Sequence, residues 1–342
     1  MKAPPPTKML SNVPLSRMSN IGIGGVARFL VNVRGQEDIE QTMAWCRSNR
    51  VPFYIMGAGT NVLFSDDFFD GLIMVMKNTG VRLRGEEVIA GGGVDMQILL
   101  NKCFAKHLQG LEWAGGLPGT LGGALYGNAG AFGGEMQNHI KSITSIDISG
   151  DGIKTRERSM KQCRFGYRNS VFKRLAQRGT QSIIIKAVLN LHKTKNIATS
   201  RKKAERVLAY REKHHPLYEK TLGSTFTNIR PDTVTPRVRA LFKDHIKNDP
   251  FPLIPVAVVL DVLGMKGCSR GGACFAEKHP NFIINRGGAS FDDVRSLINH
   301  AKKKARDIFG IELEEEIRTV RPQNLFNPWS VSSRSRTHNH KK

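Results

Sequence analysis

The sequence predicts a chain of mixed helix and strand whose ligand site is built from glycine-rich loops, not from a Rossmann nucleotide turn. Three observations predict it. Apolar alternation of the strand type and the wider spacing of helices interleave along most of the 342 residues. The stretch Trp113 to Glu135 holds nine glycines and no Lys or Arg, so its backbone can approach a ligand without side-chain bulk. Successive amides in such a loop can form a concave nest of donors for a pyrophosphate or the polar edge of a flat ring. The same composition also serves a run of tight turns. Two more clusters, Gly57-Ala58-Gly59-Thr60-Asn61 and Gly91-Gly92-Gly93, move the balance toward a bound cofactor. Third, GAGTN runs on into the apolar Val62-Leu63-Phe64, and no G-x-G-x-x-G opens a helix, which argues against the dinucleotide fold.

Along the chain, residues 1–18 are proline-rich and are expected to be disordered. Ala27 to Val33 alternates as a strand, and Gln36 to Asn49 has helical spacing through Ile39, Met43, Ala44 and Cys46. Pro52 to Met56, Leu72 to Met76 and Val88 to Gly93 read as strands, and Met96 to His107 as an amphipathic helix. Strands at Ile140 to Ile148 and Ile183 to Leu191 flank the segment Arg164 to Ser170. Ala198 to Glu212 is a basic helix that bridges to a further domain. Then come a turn at Lys220 to Ser224, a proline-bearing connection from Pro231 to Pro255, and an apolar strand or helix to Leu263. Asp292 to Phe309 is the last helix, Glu312 to Val320 a closing strand, and residues 322–342 a disordered basic tail.

Hydrophobic content of 40% and charged content of 24% are those of a soluble globular protein, with length for two or three domains. No apolar run approaches the roughly 20 residues that span a bilayer, and MKAPPPTKML lacks a signal-peptide core. The expectation is a cytoplasmic protein with no membrane insertion. The five cysteines (Cys46, Cys103, Cys163, Cys268 and Cys274) are scattered without a C-x-x-C, which argues against a disulfide framework and against a zinc or other metal site. Isolated reduced thiols are expected, with Cys268 and Cys274 the pair that oxidation would join.

The formal charge of +23 raises nucleic acid or an anionic membrane as partners. The basic residues are spread out, however. The clusters Arg201-Lys202-Lys203 and Lys302-Lys303-Lys304 fall in helical segments and read as solvated faces, and no helix-turn-helix, zinc finger or RNP-like motif accompanies them. No nucleic-acid partner is expected. An anionic small-molecule substrate and cofactor would also profit from the basic field.

Seven motifs, in one order, carry a family resemblance. They are IGGVARF (Ile23 to Phe29), GAGTNVLFSDDFFDG (Gly57 to Gly71), GLEWAGGLPGTLGGALYGNAGAFGGE (Gly110 to Glu135), FGYRNSVF (Phe165 to Phe172), GSTF (Gly223 to Phe226), GMKGCSRGGACFAEKHPNFIIN (Gly264 to Asn285) and LEEEIR (Leu313 to Arg318). From Pro14 to Val320 the chain resembles the UDP-N-acetylenolpyruvoylglucosamine reductases, flavoenzymes of peptidoglycan synthesis. The resemblance implies an α+β fold of the vanillyl-alcohol-oxidase (PCMH) type. Its FAD-binding subdomains would occupy residues 19–78 and 79–208, and a C-terminal α+β substrate-binding domain residues 209–321, in a monomeric protein. It further implies that NADPH reduces FAD, and that the enolpyruvyl ether of UDP-N-acetylglucosamine then accepts hydride to give UDP-N-acetylmuramate.

An unactivated enol ether resists hydride unless its carboxylate is polarised toward an enolate, and a fixed guanidinium is suited to that. By resemblance Arg168 fills this role, Ser224 donates the proton to the α-carbon, and Glu316 assists at the carboxylate, with Glu314 as the alternative register. Strand alternation puts Glu314 and Glu316 on one side and Glu315 on the other. Tyr167 matches a substrate contact and equally a half-buried strand tyrosine. For FAD, the resemblance points to Gly57, Gly59, Thr60 and Asn61 at the pyrophosphate, and to Gly116, Gly119, Thr120, Gly122, Gly123, Asn128 and Ala129 along the pyrophosphate and isoalloxazine. Lys278, His279 and Asn281 are structural or substrate-proximal.

The chain departs from the family pattern at Asn20-Ile21-Gly22, where a polar flavin contact is expected to be missing. It departs again at Thr227-Asn228-Ile229 and at Val256 to Val259, which affects the UDP site more than the chemistry. The segment after FGYRNS is short, so the substrate-covering tyrosine loop of one subtype is expected to be absent.

Overall fold

The computed structural model describes residues 4–6, 8–150 and 152–329. The first of its three larger sheets runs in the order Leu10–Pro14, Val26–Val33, Phe69–Met76, Phe53–Met56, with an antiparallel edge pair followed by parallel neighbours. Phe69–Met76 is buried along nearly its whole length, which is why FDGLIMVM reads as an apolar run and not as an alternation. Leu72, Met74 and Met76 pack with Ile39, Met43 and Cys46 of the helix Gln36–Asn49. Phe69, Ile73 and Val75 face the opposite way, toward Leu30, Tyr54, Phe64 and Leu15.

Two expectations of disorder meet structure here. Within residues 1–18, Leu10–Pro14 pairs with Val26–Val33 and Leu15 is fully buried, because this strand covers what would be an open sheet edge. Within the tail, Phe53 and Phe326 exchange backbone hydrogen bonds of 2.9 and 2.8 Å. Their rings meet edge-on at 5.4 Å, with Trp329 at 5.8 Å from Phe53. Apolar residues within a polar segment thus fix its first part; residues 330–342 lie outside the described residues.

The second sheet is antiparallel throughout, in the order Gly152–Ser159, Ile140–Ser149, Gln181–Asn190, Glu87–Gly91, Val81–Arg84. The helix Met96–Ala105 packs over it, its N-terminus capped by Asp95, whose carboxylate accepts from the amides of Gln97 and Ile98. The glycine-rich stretch is not loop throughout. It contains a short helix, Leu121–Tyr126, in which Gly122 allows the backbone to approach Gly92, whose carbonyl accepts its amide at 2.8 Å. A Cβ at Gly122 would come within 2.9 Å of that oxygen.

The bridging helix spans Ile197–His214 and buries Ala204, Val207 and Arg211 on one face. The boundary expected at residue 208 therefore falls inside a continuous helix, which nothing interrupts until Pro216 restricts the residue before it. The third sheet follows, in the order Thr221–Ser224, Phe282–Asn285, Ala273–Phe275, Ser269–Arg270, all antiparallel. The helices Val256–Val262 and Phe291–Phe309 pack with it, the latter through Val294, Leu297, Ile298, Ala301 and Ala305 at helical spacing.

The closing strand is shorter than the sequence suggests. Only Arg318–Val320 is strand, and it pairs in parallel with Val62–Phe64 beside the first sheet. Before it, Leu313 and Ile317 are drawn into the core of the third unit. Ile21, at the departure near residue 20, joins that same core, and its carbonyl accepts from Asn285 Nδ2 at 2.9 Å. No helix among the described residues is long and apolar enough to cross a membrane.

The packing of residues 325–329 is open to test. Phe53→Ala removes a fully buried ring, and should lower stability by about 3–5 kcal/mol. Urea unfolding should show this as a lower midpoint at unchanged slope. An unchanged midpoint would contradict the Phe53–Phe326–Trp329 cluster.

Candidate active site

Two glycine loops stand against each other at the junction of the first and second units. A Cβ at Gly57 would lie 2.3 Å from Thr120 Oγ1, and one at Gly119 would lie 2.8 Å from Thr60 Oγ1, so glycine is what lets the loops meet. Gly59, with φ of +72°, turns the chain beside the carbonyl of Met18. Among the described residues, the amides of residues 57–61, 119 and 120 donate no hydrogen bond to the protein. A cluster of backbone donors left without acceptors is an anion-binding nest, and it fits the pyrophosphate of a dinucleotide.

The remaining expected cofactor contacts are engaged differently. The Gly116 amide donates to Gln97 Oε1 and that of Gly123 to Thr120 Oγ1. The Gly122 and Ala129 amides serve the short helix and its neighbours. Asn128 is fully buried at φ of 46°; its Nδ2 donates to Gly166 O and Glu135 Oε2, and its Oδ1 accepts from Gln137. Its side chain therefore holds the turn that carries Arg168.

That turn, Gly166 to Asn169, is closed by reciprocal backbone bonds of 3.0 Å and sets Arg168 at φ of 49°, a left-handed conformation that a non-glycine residue rarely adopts. Ser170 anchors it from behind: fully buried, it caps the helix Val171–Gln177 and donates to Tyr126 O at 2.7 Å. Arg168 Nη2 donates to Gly130 O at 2.9 Å, and the guanidinium lies over the Tyr167 ring. Its Nε stands 2.7 Å from Glu316 Oε1, a charge contact in which the buried N–H is not aligned as a hydrogen bond. Burial opposes the charge of Arg168, but Glu316, Tyr167 and Glu135 together outweigh it and hold the guanidinium above its usual range. In Glu316 burial dominates and raises the carboxyl above the usual carboxylate range, against the pull of Arg168.

Glu316 is also tied through its backbone. Its amide donates to Thr225 O at 2.8 Å, and its carbonyl accepts from Asn61 Nδ2 at 3.2 Å. Ser224, the residue before Thr225, is thereby brought to the same place, half-buried and with no hydrogen bond from its hydroxyl among the described residues. Glu315 turns away to Arg295 and Lys302, at 2.5 and 2.6 Å. Glu314 is exposed and contributes only its carbonyl, to the Thr227 amide. Of the alternatives, Glu316 is the glutamate beside Arg168.

Tyr167 is half-buried as expected, but it lies in the turn before Ser170 and not in a strand. Burial pushes its phenol up, and its oxygen accepts from the Asn228 amide at 3.2 Å. Asn228 Oδ1 in turn accepts from the amide of Val256, so the altered 227–258 segment is fastened to the site through this tyrosine. Asn281 is structural: 3% exposed, it bonds both the N–H and the C=O of Phe226 and fixes the chain just after Ser224. His279 packs its ring against His215 and Phe282, and burial lowers its pKa to about 4. Lys278 bonds the Glu212 carbonyl.

Two further arginines went unnoticed in the sequence. Arg318 lies over the rings of Tyr126 and Tyr54, at 4.6 and 5.6 Å, while its amide bonds Asn61 O. Arg211 is buried behind Gly116. Arg211 sits among the basic residues of a helix whose exposed face does carry Arg201, Lys202 and Lys203, and composition does not separate the two faces.

Residues 27–156 match the family described as FAD binding domain. Residues 215–320 match that described as UDP-N-acetylenolpyruvoylglucosamine reductase, C-terminal domain. The chain is 32% identical over 314 residues to the UDP-N-acetylenolpyruvoylglucosamine reductase of Caldanaerobacter subterraneus, covering 92% of this chain and 94% of that one. To the Thermotoga maritima protein of the same name it is 33% identical over 304 residues, covering 89% and 95%. The crystal structure of the reductase from Thermus caldophilus shares its fold at a TM-score of 0.70 and 23% identity, covering 91% of this chain and 99% of that one. With its α+β, PCMH-type framework and its paired glycine loops, the chain belongs to the UDP-N-acetylenolpyruvoylglucosamine reductase family of FAD-dependent oxidoreductases.

Proposed function

We propose that this chain reduces UDP-N-acetylglucosamine enolpyruvate to UDP-N-acetylmuramate at the expense of NADPH, in the cytoplasm. The observation that carries the reading is the Arg168–Glu316 pair held beside Ser224. Bound FAD supplies the relay of hydride, from NADPH to the vinyl CH2 carbon. The free amides of Gly57, Gly59, Thr60, Asn61, Gly119 and Thr120 would hold its pyrophosphate, while Gly116, Gly122, Gly123, Asn128 and Ala129 shape the wall against which it lies.

The residues of the chain do the rest. Arg168 draws the substrate carboxylate and stabilises the enolate charge that grows on it as the vinyl carbon gains hydride. Ser224 gives its proton to the α-carbon, so that one hydride and one proton add across the double bond, and solvent restores the hydroxyl. Burial raises the Glu316 carboxyl, so it takes up a proton more readily than an exposed carboxylate when the substrate carboxylate arrives beside it, which lessens the repulsion between two anions. Tyr167 contacts the substrate from the side of the 227–258 segment.

Anaerobic stopped-flow absorbance separates the two half-reactions. Ser224→Ala should leave bleaching by NADPH near the wild-type rate and slow the return of colour on adding the enolpyruvyl sugar by about 10²–10⁴-fold, the weight of a general acid. Equal loss in both phases would show that Ser224 acts through folding or flavin binding. Arg168→Lys should slow the second phase by about 10²–10³-fold, because an ammonium cannot present the planar fork. Wild-type turnover in that variant would remove Arg168 from the mechanism.

The raised carboxyl of Glu316 gives a pH test with a definite sign. A group with an elevated pKa loses its proton as pH rises through that value, so the second half-reaction should fall on the alkaline side. Glu316→Gln, which cannot titrate, should react more slowly and without that fall, whereas Glu314→Gln should keep the wild-type profile. An identical alkaline limb in Glu316→Gln would assign the titration elsewhere.

A further inference from the structure

Arg211 is a buried cation with no anionic partner among the described residues. It is 8% exposed, and its Nε and Nη2 are buried without any hydrogen-bond acceptor. Its guanidinium lies over the Phe132 ring at 5.2 Å, and its stem lies against Gly116, where a Cβ would come within 3.4 Å of Cδ. Phe132 and Gly116 both belong to the glycine-rich stretch, so the charge abuts the loop wall of the site. Burial, and then the field of Arg168, lower its pKa to about 10, so at neutral pH it keeps its charge.

The carbonyls at the end of the helix Ile197–His214 and the face of Phe132 compensate only part of such a charge. A desolvated guanidinium with two idle donors beside a second arginine is costly unless an anion completes it. Arg168 already has Glu316. Arg211 has nothing equivalent.

We propose that Arg211 is a ligand-binding residue, whose idle Nε–H and Nη2–H take an anionic oxygen pair carried by one of the two nucleotides of this site, FAD or the UDP-sugar. The proposal rests on the function proposed above, and the two nucleotides share the diphosphate chemistry that a guanidinium fork recognises.

Arg211→Met keeps the buried stem and removes the charge; Arg211→Lys keeps the charge and removes the fork. For each purified holoenzyme, FAD release on dilution is followed by flavin fluorescence, and binding of the enolpyruvyl UDP-sugar by perturbation of the flavin spectrum without NADPH. Arg211→Met should weaken one of the two nucleotides by at least about tenfold, the weight of a charge-assisted hydrogen bond, with Arg211→Lys intermediate. Loss in the FAD arm assigns the oxygens to the cofactor. Loss in the sugar arm alone, with the sugar-induced rise in melting temperature also gone, assigns them to the substrate. Unchanged affinity in both arms overturns the proposal. If the wild-type protein binds FAD but not the sugar, the proposed substrate is wrong, and the FAD arm alone decides on Arg211.

Discussion

The structure depends on the contact between Arg168 and Glu316, because that ion pair is where the parts of the chain built on its three larger sheets meet. Arg168 belongs to the second sheet's unit. Glu316 leaves the core of the third unit one residue after Glu315, and two residues before the strand that pairs beside the first sheet. The backbone of Glu316 extends the join, reaching Asn61 of one glycine loop and Thr225 beside Ser224. A half-buried pair of this kind contributes little net stability, since desolvating both charges offsets most of their attraction. Its value lies in position. It sets a guanidinium and a carboxyl from distant points of the sequence against each other, with the backbone next to Ser224 bonded to Glu316.

The surroundings show how that position is maintained. Arg168 sits in a left-handed conformation that costs of the order of 1–3 kcal/mol for a residue with a Cβ. The strain is held by buried polar bonds: Asn128 to Gly166, and Ser170 to Tyr126. On the opposite wall Asn281 satisfies both backbone groups of Phe226 and so holds the segment after Ser224. Asn128, Ser170 and Asn281 thus hold the backbone on either side of Arg168 and Ser224.

The same economy explains the electrostatics. Glu316 has an arginine and still has its carboxyl raised by burial, while Arg211 and Arg318 are buried against aromatic faces and not against carboxylates. Such a site carries more positive charge than its own anions can balance, and anionic nucleotides are what it is suited to receive. The net charge of the chain, much of it on solvated helix faces such as Arg201 to Lys203, adds a field without defining a site.

Much of this was legible in the sequence. Periodicity alone placed the helix Gln36–Asn49 within its observed bounds, and located the central strands and the last helix, because those elements bury a regular face. The seven ordered motifs identified the family, and Arg168, Ser224 and Glu316 were picked out within FGYRNS, GSTF and LEEEIR by that resemblance. Tertiary structure decided the rest. The short helix inside the glycine stretch forms because Gly122 is pressed against Gly92, a contact between residues that no local pattern links. The ordered N-terminal strand and the Phe326–Trp329 anchor exist because a sheet edge and a buried phenylalanine lie elsewhere to receive them. Glu316 is chosen over Glu314, and Arg211 over its basic neighbours, by which side chain faces inward once the units have docked. Local sequence specifies the period and chemistry of a segment, but burial and charge pairing between segments arise only when the chain has closed on itself.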